Sequence, residues 1–117
     1  REGIQFFICD GGRTNHALVS DWEQHKFSIF PTKKSKTNIM TTVCGPTCMS
    51  FDHFIRSEMP SNIKAGDYFI WYDAGAYHIP WETRFSNGLS SIVWHKNKQF
   101  KIIREKENFE SWWGVWR

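Results

Sequence analysis

The chain has 117 residues, 40% hydrophobic and 17% aromatic, with 15 Lys and Arg against 12 Asp and Glu for a formal net charge of +3. That length holds a single domain, residues 1–117, and is too short for a TIM barrel with anything added. The basic residues are scattered apart from Lys33, Lys34 and Lys36, which argues against a nucleic-acid partner, and no apolar run approaches the roughly 20 residues that span a bilayer.

The first strand is predicted over Ile4–Cys9, a run of apolar and aromatic residues closed by the turn signal Asp10-Gly11-Gly12. His16, Trp22, Glu23 and His25 follow and read as surface-loop residues or the lining of a pocket. Phe27–Phe30 predicts a second strand before Pro31, and Ile39–Cys44 a third before Gly45-Pro46. Phe51, Phe54 and Ile55 stand at helical spacing and predict a short helix within Phe51–Ser57. Met59-Pro60-Ser61-Asn62 and Gly66-Asp67 mark turns. In Asp67–Tyr72 both alternating sets are apolar, which predicts a strand buried on two faces. Ser90–His95 and Gln99–Arg104 flank Lys96-Asn97-Lys98 as a hairpin, and Glu105–Trp113 predicts a terminal helix. The fold expected is all-β: a small barrel or sandwich of about six to eight mainly antiparallel strands with one or two short helices.

Seven Trp in so small a domain admit two readings, a barrel core filled with aromatics or a surface waiting for a partner. Cys9, Cys44 and Cys48 are an odd number without a paired framework, which fits reduced thiols. No basic leader precedes an apolar stretch and small-residue cleavage site, so the expected setting is soluble and cytoplasmic. The start at Arg1-Glu2, without methionine, reads as a piece cut from something longer.

Two positions could carry chemistry. Gly45-Pro46-Thr47-Cys48 ends a strand with backbone-constrained residues and delivers a thiol at the following loop, with Asp52 four residues on. Gly75-Ala76-Tyr77 offers a phenol where no large neighbour shields it, able to donate to a phosphate. Each also has an ordinary structural reading, a small buried thiol and a core aromatic.

The ordered set Val43-Cys44-Gly45-Pro46-Thr47-Cys48-Met49-Ser50-Phe51-Asp52, Gly66-Asp67, Asp73-Ala74-Gly75-Ala76-Tyr77 and Phe85-Ser86-Asn87-Gly88 resembles the C-terminal β-domain of the fold-type III decarboxylases. These include the ornithine, arginine and diaminopimelate decarboxylases. Asp10-Gly11-Gly12 is similar to the family's acidic-Gly element, so the likeness covers nearly the whole chain. It implies a pyridoxal 5'-phosphate cofactor attached to a lysine of an N-terminal TIM-like barrel, which this chain lacks. It implies a homodimer with shared active sites and an amino-acid substrate. It also implies that Cys48 handles the proton at the decarboxylated carbon in the partner's site, and that Tyr77 binds the cofactor phosphate. Asp10 and the residue after Cys48 are then substrate-binding positions, and Asp52 belongs to the subunit interface.

Met49 departs from that pattern, because the ornithine and diaminopimelate branches usually carry an acid there. A thioether cannot neutralise a buried distal ammonium, which predicts a larger, less basic or carrier-linked substrate unless Asp10 supplies the charge alone. Two other classes remain open at this point. Cys44, Cys48 and His53, with Cys9, offer a zinc-like spacing, although no second paired cluster supports a metal. A non-catalytic barrel using its Trp and Tyr residues to bind a protein or single-stranded nucleic acid is the other. Taken alone, the chain is expected to be catalytically inert.

Overall fold

A computed structural model describes residues 3–16 and 25–117. Its strands are β1 (Ile4–Ile8), β2 (Phe27–Phe30), β3 (Asn38–Cys44), β4 (His53–Pro60), β5 (Tyr68–Trp71), β6 (Ile92–Lys96) and β7 (Gln99–Arg104). Two short helices are α1 (His78–Trp81) and α2 (Phe109–Gly114). The all-β expectation with one or two short helices holds, although α1 stands where no helix was predicted. Among the described residues, however, the strands form three separate sheets and no closed barrel: β1-β3-β4, β2-β5 and β6-β7.

Pairing is antiparallel for β3 with β4, β2 with β5 and β6 with β7, while β1 runs parallel to β3. A parallel pair needs a long crossover, and the chain makes it by placing β2 in a different sheet between the two strands. Strand alternation then sorts the side chains. Along β1, Phe6 and Ile8 face outward while Phe7 packs inward; along β3, Thr41 and Val43 are fully buried.

The core lies between the β1-β3-β4 and β2-β5 sheets. Val43, Phe54, Met59 and Ile63 form its centre, with Phe7, Phe27, Ile29, Phe69 and Trp71 packed around them. Aromatic edges knit the two sheets: Phe7 meets Phe69 at 5.6 Å between centroids, and Phe54 meets Trp71 at 5.5 Å. Full burial of each such side chain is worth about 1.5–3 kcal/mol. Among the described residues few are buried, and the core they form is small.

Three local expectations are corrected. Phe51–Ser57 is not helical; from His53 onward it is strand, because the ladder with β3 satisfies its backbone and outweighs a weak helical spacing. The register passes from Val43–Ile55 to Cys44–His53, so Phe54 is the extra residue of a bulge, and its ring lies in the core. The segment Asp67–Tyr72 is not buried on both faces. Phe69 and Trp71 cover the core, but Tyr68, Ile70 and Tyr72 are exposed, since no second layer covers them among the described residues. The terminal helix starts at Phe109 rather than Glu105, because Asn108 caps it through the Ser111 amide and the Ser111 hydroxyl returns the bond. The β6–β7 hairpin turns at Asn97 and Lys98, both with positive φ as a two-residue primed turn requires.

Candidate functional site

Past β3 the chain turns sharply and returns into β4. The Gly45 amide donates to the Asp52 carbonyl at 2.9 Å and the Asp52 amide to the Met49 carbonyl at 3.0 Å, closing a tight loop with Cys48 exposed near its tip. The Asp52 side chain points back inside. Its Oδ2 accepts from the Thr47 amide at 2.9 Å and the Thr47 hydroxyl at 2.5 Å, and its Oδ1 accepts from the Arg13 amide at 2.8 Å. Burial pushes the Asp52 carboxyl upward, but these donors outweigh it and hold the acid below the usual carboxylate range.

The second loop follows β1. Asp10 is exposed, the amides of Asn15 and His16 both donate to the Gly12 carbonyl, and Thr14 is buried with its carbonyl accepting from the Thr83 amide at 2.9 Å. Asn15 donates from Nδ2 to the Ser90 hydroxyl at 2.9 Å. Residues Gly12–His16 thus bind at once to the Cys48 loop, through Asp52, and to the segment that leads into β6. Asp10 lines a groove of about 470 Å³ with Phe7, His16, Asp67, Phe69 and Trp71. Met49 lines a different hollow, of about 640 Å³, over the outer face of the three-stranded sheet beside Phe6 and Ile8.

Tyr77 stands at the N-cap of α1 and is 61% exposed. The next residue, His78, turns inward and is buried, its ring 5.2 Å from His16 and 5.4 Å from His25 between centroids. His25 Nδ1 lies 3.0 Å from the Tyr72 carbonyl, which can only accept, so that nitrogen donates, and His25 Nε2 faces His78 Nε2 at 3.5 Å. Burial pushes the His16 imidazole down to about 4, and His78 and His25 add to the effect. His16 is therefore a packed residue against Phe54 and His78, not a surface-loop one. Trp22 and Glu23 lie outside the described residues.

The site residues separate into two groups. Asp10 and Cys48 sit on loops joined by Asp52, whereas Tyr77 is tied to the first loop through the packing of His78 on His16. Cys48 and Tyr77 are both exposed, so neither serves this chain as a core residue. Asp52 is buried with its described partners inside the chain. Cys9 is different from Cys48: burial pushes its thiol up to about 11, with Asp10 and Cys44 adding, which suppresses the reactive thiolate. Among the described residues no group of three or more His, Cys, Asp or Glu is arranged to hold a metal.

Residues 1–75 match the family model described as the pyridoxal-dependent decarboxylase, C-terminal sheet domain. The chain belongs to this family. As a sheet domain it is 33% identical to the diaminopimelate decarboxylase of Escherichia coli K12 over 81 residues, 62% of this chain and 19% of that enzyme. It is 30% identical to the ornithine decarboxylase of Caenorhabditis elegans over 93 residues, 78% of this chain and 22% of that one. The sheet domain therefore spans about a fifth of the length of the curated relatives it matches. A solved diaminopimelate decarboxylase superposes on 98% of this chain and 30% of its own with a TM-score of 0.82 at 24% identity. The Helicobacter pylori enzyme, complexed with L-lysine, does so on 94% and 27% with 0.80 at 22%. These likenesses establish the fold.

Sequence reasoning missed the structural parts of the candidate site: the Arg13 amide, Thr47 as a partner of Asp52, and His78. The only available signals were Gly12 and Gly45. Each lies so close to the Asp52 carboxylate that an added Cβ would collide with it.

Proposed function

We propose that this chain is a single C-terminal β-domain, residues 1–117, completing the active site of a cytoplasmic, homodimeric pyridoxal-phosphate-dependent amino-acid decarboxylase. A TIM-like barrel supplies the cofactor-binding lysine. Membership of the sheet-domain family supports the reaction class. The observation that carries the reading to particular residues is the Asp52-held loop that leaves Cys48 open to whatever docks there.

Pyridoxal phosphate, when bound, supplies a sink for the electrons released as the α-carboxylate departs. The residues of this chain suit one end of that group. Tyr77 has an exposed phenol, and the preceding Gly75 has open space where a side chain would stand, so a phosphate can approach the backbone. The Tyr77 hydroxyl donates to a phosphate oxygen. Cys48, reaching the partner's site, holds the proton that its Sγ delivers to the carbon left by the carboxylate. Asp10 meets the substrate's distal group, Met49 provides apolar contact in place of a second acid, and Asp52 stands behind the subunit interface.

The test is carbon dioxide release from a series of α-amino acids by the holoenzyme assembled with its cofactor-bearing barrel. Turnover that Cys48→Ala slows or misdirects by about tenfold or more supports the reading. Turnover by the 117-residue chain alone with added cofactor would refute it. Absence of turnover in the assembled holoenzyme with every amino acid tried would leave a non-catalytic binding module.

A further inference from the structure

We propose that Asp52 is a positioning residue whose single carboxylate sets the Cys48 loop and the Asp10 loop in register, so that thiol and acid are presented as one unit. The roles of Cys48 and Asp10 rest on the functional reading above; the linkage rests on atoms of this chain. Arg13, whose amide donates to Oδ1, lies on the loop that follows Asp10, and Thr47, whose amide and hydroxyl both donate to Oδ2, immediately precedes Cys48.

Three features make this a coupling device beyond an ordinary buried acid. The carboxylate has no described donor except these two loops, which lie far apart in sequence. Both loops are moulded to it, because Gly12 and Gly45 leave vacant the space in which a Cβ would strike the carboxylate. Lastly, the three donors need two acceptor oxygens at once. An amide of the same shape must turn its NH2 either toward the Arg13 amide or toward the Thr47 pair, setting donor against donor at a buried site.

The test has two arms. In the isotope-labelled chain, the Arg13 and Thr47 amide resonances should titrate together with one acid midpoint, and Asp52→Asn should abolish that shared titration. In the holoenzyme, Asp52→Asn and Thr47→Val should each lower kcat about tenfold with KM changed less than about threefold, and Thr47→Ser, which restores the hydroxyl, should recover it. Should Asp52→Asn fail to fold, the Thr47 pair decides, since it leaves the other two hydrogen bonds in place. Separate or absent titration of the two amides overturns the linkage. Wild-type kcat in Asp52→Asn, in an enzyme that Cys48→Ala impairs, overturns the positioning role while the functional reading stands. A silent Cys48→Ala fails the functional reading, and a shared titration still upholds the linkage.

Discussion

The imidazole rings of His16 and His78 lie 5.2 Å apart and nearly edge to face, one from the loop after β1 and the other from the first residue of α1. This pair, with His25 behind it, packs the start of the helix just after Tyr77 against the loop that follows β1, while Thr83 and Glu82 tie its far end to Thr14 and Arg104. Burial and the two neighbouring imidazoles disfavour a proton on His16, and that makes the contact sensitive to acid.

His16 is depressed to about 4, below its ordinary value of 6.5, so the folded chain binds fewer protons than the unfolded chain between those values. Stability is therefore fully present above about pH 6.5 and lost progressively as pH falls toward about 4. Allowing for its partial exposure, the loss is on the order of 2 kcal/mol. Urea midpoints at pH 7 and 5 should differ in the wild-type chain and differ less in His16→Gln.

Gly45→Ala should destabilise the chain by about 2 kcal/mol or more, because the new methyl meets the Asp52 carboxylate and dislodges it from Thr47. Gly75→Ala, where nothing stands within 4 Å, should have much less effect on stability. Denaturant unfolding of the two variants side by side makes the comparison.

Phe54 fills the bulge of β4 and touches both Trp71 and His16. Replacement by alanine should cost about 3–5 kcal/mol, and replacement by leucine, which keeps most of the volume, clearly less. Equilibrium unfolding followed by tryptophan fluorescence would register both, since Trp71 reports on the same contact.

Arg104 grips Glu82 with Nη1 at 2.5 Å and Nη2 at 2.8 Å, and also donates to the Ser90 carbonyl, pinning the segment before β6 to the end of β7. Arg104→Lys keeps the charge and loses the planar fork, so it should lower stability by about 1 kcal/mol or more. A thermal melt checks this, and a Tm equal to wild type would show that the fork contributes little.

If Met49 sets substrate choice as proposed, Met49→Glu in the holoenzyme should raise kcat/KM for an amino acid with a distal ammonium about tenfold or more relative to one with an apolar side chain. An unchanged ratio would place specificity elsewhere.

Strand alternation made β1, β2, β3 and the β6–β7 hairpin legible from the residues alone, because side-chain direction along a strand follows from local backbone geometry. The ordered motifs around Cys48 and Tyr77 likewise identified the family before any coordinates. Other features depended on contacts between distant parts of the chain. The same apolar spacing in Phe51–Ser57 suits a helix or a strand, and only the ladder with β3 chose between them. The alternation in β5 suggested two buried faces, yet burial depends on what lies opposite, and among the described residues nothing covers Tyr68 and Ile70. Asp52 read as an acid four residues beyond a cysteine. That it accepts from Arg13 as well as Thr47 was decided by tertiary structure, because a buried carboxylate takes its donors from whichever loops the fold brings within reach.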